Sequence, residues 1–214
     1  MSWLDEKANY QQLAESIEPA ARLSSKDHWV WHVVWYLLFV LVTLVTLGIG
    51  TYFFVKKMGK KTFTQTYATT FGPIQAYPPA YDSLSMALLV HECQHTKQAV
   101  FLGYFVPILG WIPGGIGRRI RAYAGLLWMA LFYLVLLFPV WGCYGRYWME
   151  RNADEASYIW MLKNGYSSAE VRSRAREFAE KVGGGQYVFA WPIWWVRSGF
   201  SKAAERVISM RSDL

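Results

Sequence analysis

His91, Glu92 and His95 stand together in "HECQH", inside an otherwise apolar stretch, "MALLVHECQHTKQAVFLGYF", residues 86–105. On a helix, residues four apart lie one above the other, so the two imidazoles can converge on a single ion. Glu92 is turned by about 100° from His91 on a helix of 3.6 residues per turn, near such an ion but off the stripe that ligates it. From there its carboxylate can take a proton from a metal-activated water without competing as a ligand, which is why H-E-x-x-H reads as zinc-dependent hydrolysis. The alternative is a buried His-Glu-His cluster held by hydrogen bonds alone.

Catalytic zinc takes three protein ligands and leaves one position open. No histidine lies downstream of His95, so the third ligand must be acidic or a cysteine. The best candidate is in "YWMERNADEASY", where Glu150 and Asp154 are four apart and share a helical face. Glu150 completes the set. Asp154, one turn further, is placed to accept a hydrogen bond from the outer nitrogen of a ligand imidazole and fix its tautomer.

With "HECQH" and "ERNAD" in this order, the chain resembles the gluzincin metallopeptidases, in which H-E-x-x-H on one helix pairs with E-x-x-x-D on a second. Within that group it looks most like the membrane-embedded CAAX-prenyl-protease and heat-shock membrane protease types. The resemblance covers about residues 83–165. It implies His91, His95 and Glu150 as zinc ligands, Glu92 as catalytic base and Asp154 as the carboxylate behind the ligands. Gluzincins commonly add a His, Tyr or Arg that stabilises the oxyanion, and no such residue is identifiable in this sequence. Tyr147, Arg151 and Tyr158 flank the second motif and read more simply as interfacial aromatics or a surface charge.

Other reactive residues read as ordinary ones. His28 and His32 repeat the four-residue spacing without an intervening Glu and fit an interfacial cluster with Trp29 and Trp31. Cys93 and Cys143 are too few for a disulfide framework and read as free packing thiols. Glu155 points away from Glu150 and is expected in solvent.

The elements that must position these residues are expected to be mainly helical and membrane-associated, with at most a short β element. Hydrophobic residues make up 54% of the 214, aromatic residues 18% and charged residues 17%, with 12 Trp, an unusual balance for a soluble protein. Residues 1–27 read as an amphipathic arm. Trp29 to Val55 carries no Asp, Glu, Lys or Arg and exceeds the roughly 20 residues that cross hydrocarbon, so residues 28–55 are expected to span. The arm holds five acidic and three basic side chains, whereas Lys56, Lys57, Lys60 and Lys61 follow the span. The positive-inside rule then places residue 56 onward in the cytoplasm of a cell inner or plasma membrane. The run starts too late and is too long for a cleavable signal peptide.

Residues 56–165 are expected to form the metallopeptidase-like region. "TFTQTYATTFGPIQAYPP" reads as one short strand and an irregular connection, and Asp82 or Ser83 as the cap of a motif helix ending near residue 101. Segments 98–117 and 122–145 are apolar, the first broken by Pro and Gly and followed by Arg118, Arg119 and Arg121. For residues 91, 95 and 150 to share one ion, the chain between them must cross the membrane an even number of times. A hairpin and a re-entrant pair both satisfy this. In residues 166–214, Ser167 and Glu170 have capping-box spacing, and "YVFAWPIWWV" reads as an interfacial aromatic patch.

The net charge of +7 suits anionic lipid, and no nucleic-acid-binding module is present. The reading that joins these features is a membrane-bound zinc metalloendopeptidase with one Zn²⁺ per chain, acting on membrane-proximal peptides near the cytoplasmic surface. The rival is a non-enzymatic membrane-inserting or assembly protein, of a phage or secretion system for example, whose His-Glu-His cluster is structural or degenerate. A hydrolase of a non-peptide amide or a cell-wall cross-link uses the same ligands.

Overall fold

A computed structural model describes residues 3–45, 55, 60–106, 112–135, 142–183 and 193–210. The described chain is mainly helical, as the sequence predicts, but it carries a three-stranded sheet where at most a short β element is expected. It forms two compact units, Met1–Leu84 with Thr96–Met129, and Ser85–His95 with Ala130–Leu214.

In the first unit the N-terminal arm becomes α1 (Lys7–Ile17) and β1 (Arg22–Ser25), followed by α2 (Trp29–Val45) and the short α3 (Lys60–Gln65). The segment expected to hold one strand and an irregular connection instead makes a hairpin, β2 (Thr69–Phe71) and β3 (Ile74–Tyr77). Gly72 supplies the reason: its φ of 59° suits the first position of a two-residue hairpin turn, and a Cβ there would meet the Ala122 carbonyl oxygen at 2.6 Å. β3 is central, antiparallel to β2 and parallel to β1, with Arg22 opposite Ile74 and Ser25 opposite Tyr77.

Beneath the sheet Gln75 donates to Thr96 and accepts from the Tyr77 hydroxyl, both at 3.1 Å, so its buried amide is satisfied. Arg118 forks onto the buried Glu18 at 2.9 and 2.6 Å. Arg121 is buried, lies 4.5 Å from the Tyr104 ring and donates to the Ile112 carbonyl at 2.6 Å.

The motif helix is α4 (Met86–Gly103), and α5 spans Gly114–Val135. α4 is capped by Ser85, whose hydroxyl accepts from the Leu88 N–H at 3.2 Å; the cap expected at Asp82 or Ser83 thus lies two or three residues later. Its first turns, through His95, belong to the second unit together with α6 (Gly142–Lys163), α7 (Ser168–Gly183) and α8 (Ile193–Ser209).

The capping box opening α7 is reciprocal: the Ser167 hydroxyl accepts from Glu170 N–H at 3.3 Å and the Glu170 carboxylate accepts from Ser167 N–H at 2.7 Å. Val171, Ala175, Phe178, Ala179 and Val182 recur at helical spacing on the buried face of α7. They pack on Tyr158, Met161 and Leu162 of α6 and on Phe200, Ala204 and Val207 of α8. Glycine also decides one crossing here, because Gly199 leaves the space into which the Tyr147 ring edge and hydroxyl fit.

Among the described residues no helix is long and apolar enough to cross a membrane. Of the expected span at 28–55, α2 accounts for Trp29–Val45, and most of its remainder lies outside the described residues. α5 contains Arg118, Arg119 and Arg121 as well as the first part of the charge-free run at 122–145, and α6 takes it up again from Gly142. Residues 107–111, 136–141 and most of "YVFAWPIWWV" lie outside the described residues.

Candidate metal centre

The site is built from two helices whose facing stripes match turn for turn. α4 presents Ala87, His91 and His95 at intervals of four; α6 presents Glu150, Asp154 and Ser157 at four and three. The Ser157 hydroxyl donates to the Ala87 carbonyl at 2.7 Å, His91 faces Asp154, and both histidines face Glu150. The rising numbers on one helix meet falling numbers on the other, so the helices run antiparallel along this seam. Ser157 escapes the motif reading, although its spacing from Glu150 and Asp154 already places it on their face.

His91 Nε2 lies 3.2 Å from His95 Nε2, and each of these nitrogens lies 3.4 Å from Glu150 Oε2. The two carboxylate contacts lie at the long end for hydrogen bonds, since N–H···O contacts normally fall at 2.7–3.2 Å. A tetrahedral ion with bonds of about 2.0–2.1 Å holds its ligand atoms about 3.3 Å apart, the size of the triangle found. The donors are two imidazoles and a carboxylate, a set suited to zinc. The buried His91, His95 and Glu150 group can therefore hold a metal ion.

Behind the triangle, His91 Nδ1 faces Asp154 Oδ1 at 3.5 Å, and neither atom has another hydrogen-bond partner. This is the side from which a carboxylate would fix a ligand histidine's tautomer. The Tyr158 hydroxyl donates to the other oxygen, Oδ2. Tyr158 is therefore fully buried and part of the site's support, where the sequence suggests an interfacial aromatic. Tyr147 is likewise buried, packed 4.4 Å from Trp195. Arg151 lies 3.7 Å from Glu155, which also pairs with Arg206, so Glu155 is held in ion pairs where simple solvation is expected.

Glu92 is buried on the same helix and close enough for its charge to act on His91. Burial alone would lower the His91 pKa, but hydrogen bonding to Asp154 and Glu150 and the charges of Glu92 and Glu150 outweigh it and raise the group from 6.5 to about 10. For Glu150, burial would raise the pKa, and the charge of His95 with hydrogen bonds from both histidines holds it well below the usual carboxylate range. Burial and the neighbouring Asp154 push the Tyr158 phenol above its usual range, so it remains a hydrogen-bond donor at neutral pH.

Cys93 is buried, as expected of a packing thiol, and the Cys143 side chain lies outside the described residues. His28 is exposed with its ring 5.8 Å from that of Trp29, and His28 and His32 belong to no metal-binding group among the described residues. Comparison with protein-family models, with curated proteins and with solved structures finds no match to this chain, so what the site can do follows from its geometry.

Proposed function

We propose that the chain is a membrane-bound zinc metalloendopeptidase of gluzincin type. The observation that carries this reading is the buried triangle of His91 Nε2, His95 Nε2 and Glu150 Oε2 at 3.2–3.4 Å, with Glu92 beside it on the first helix. His91, His95 and Glu150 would hold the ion, and Asp154 would keep His91 in the tautomer that presents Nε2. A zinc ion there would supply Lewis acidity toward a peptide carbonyl and a water molecule. The Glu92 carboxylate would take a proton from the attacking water and return it to the leaving amine, so that the base is regenerated in each cycle. The low dielectric of the buried site strengthens each of these interactions.

Attachment to a cell inner or plasma membrane, with membrane-proximal peptides as substrates, is supported by the exposed apolar side chains of α2, among them Trp29, Leu37 and Leu44. The rival, a non-enzymatic membrane-inserting or assembly protein whose His-Glu-His cluster is structural or degenerate, is favoured by one observation: His91, Glu92, His95 and Glu150 are all at most 6% exposed. The two readings part at Glu92. Metal content of detergent-purified protein is expected at about one zinc per chain in the wild type and absent in His95→Ala and Glu150→Ala. Glu92→Gln is expected to keep zinc and lose at least about 100-fold in peptide hydrolysis. Zinc retained with no hydrolysis in the wild type would favour the rival, and a folded, metal-free wild type would overturn the peptidase reading and leave the cluster as a structural one.

A further inference from the structure

We infer that Arg174, on α7, is a positioning residue of the metal centre, acting on His91 through Asp154; the inference rests on the zinc reading above. Two buried polar atoms, His91 Nδ1 and Arg174 Nε, face the same buried oxygen, Asp154 Oδ1. None of the three has a hydrogen bond at normal distance to anything else, and the two gaps between them are 3.5 and 3.6 Å. An approach of about half an ångström at each gap makes both into ordinary hydrogen bonds.

The same stretch of α7 also contacts the histidine ring directly. Phe178, four residues after Arg174, lies with its ring centroid 4.9 Å from that of His91, and the Arg174 guanidinium carbon lies 5.3 Å from the Phe178 ring. Arg174 and Phe178 thus both reach His91, the first through its carboxylate partner and the second by ring-to-ring contact. Other arginines of this unit have a different setting. Arg172, Arg197 and Arg206 pair with Glu205, Glu180 and Glu155 and are about half exposed, whereas the partner of Arg174 is fully buried. A buried carboxylate is costly without a compensating charge beside it, and Arg174 Nε lies 3.6 Å from the same Oδ1 that faces His91 Nδ1. Arg174 supplies that charge. The C-terminal third of the chain, outside the two motifs, thereby becomes part of the site.

The test compares Arg174→Lys, Arg174→Gln and Arg174→Ala with the wild type, using zinc affinity from competition with a chromophoric chelator, the visible spectrum of the Co²⁺-substituted protein, and the Tm of the metal-free protein. Loss of a residue that orients a ligand typically weakens metal binding about 10–100-fold. That loss is expected for Arg174→Ala and Arg174→Gln, with an altered Co²⁺ spectrum and little change in metal-free Tm. Arg174→Lys, which keeps the charge, is expected to recover most of the affinity. Zinc affinity in Arg174→Ala within about twofold of the wild type would overturn the inference while leaving the zinc reading intact. Equal losses of affinity in all three variants, in step with a lower metal-free Tm, would also overturn it, making Arg174 a structural support only. Absence of zinc binding in the wild type would sink the zinc reading itself.

Discussion

At the scale of single residues, the proposed zinc site sets a proton against the metal for His91. In the metal-free protein its pKa is raised from 6.5 to about 10, so its ion pairing contributes stability fully below 6.5 and loses it as pH rises toward 10. Glu150 is depressed from 4.5, so its contribution is present above that value and lost as acid protonates it. Zinc requires the neutral imidazole, so binding releases a proton and tightens as pH rises. Opposite slopes are therefore expected: between about pH 6.5 and about pH 9 the chelator-treated protein loses Tm while the zinc-stabilised difference grows. Thermal denaturation with and without zinc across that range checks this. A difference that stays constant with pH would mean that His91 does not ligate.

Elements carry the next level of control, because the ligand triangle exists only while α4 and α6 keep their register. The Ser157 to Ala87 hydrogen bond sets that register one turn before His91, and the packing of α7 and α8 on α6 holds it from behind. Gly199 is the tightest point of that support. Gly199→Ala would set a methyl group where the Tyr147 hydroxyl lies, and overpacking of this kind costs about 1–3 kcal/mol. Urea denaturation of the variant should show that loss, and Tyr147→Phe in the same chain should return part of it. Full additivity of the two substitutions would count against a direct clash.

For the whole molecule, the solvent around α2 sets what its exposed apolar face costs. Leu37 and Leu44 are 64% and 68% exposed on α2. In water, charged substitutions at such sites usually change stability by less than about 0.5 kcal/mol. In a bilayer, each introduced carboxylate would cost several times that, about 2.5–3.5 kcal/mol at the centre of a spanning helix. The wild type is expected to stay with membranes through alkaline carbonate extraction, and Leu37→Glu with Leu44→Glu to shift it toward the soluble fraction. Recovery of the wild type from lysate without detergent would sink the integral-membrane reading.

What the sequence determined by itself was local and periodic. The four-residue spacings put His91 over His95 and Glu150 over Asp154, and Ser167 with Glu170 marked the start of α7, because helix geometry ties such residues together whatever the rest of the chain does. The hairpin at Gly72 was less legible, since a glycine-proline pair signals a break without saying whether strands resume in register beyond it. Tertiary structure alone decided which faces meet. Ser157, Tyr158, Arg174 and Phe178 carry no motif; they join the site because α6 and α7 bury the faces that hold them, and burial forces each polar group there to find a partner. Such partnerships join residues far apart in the chain, such as Glu18 with Arg118 and His91 with Arg174 through Asp154, and no local spacing encodes them.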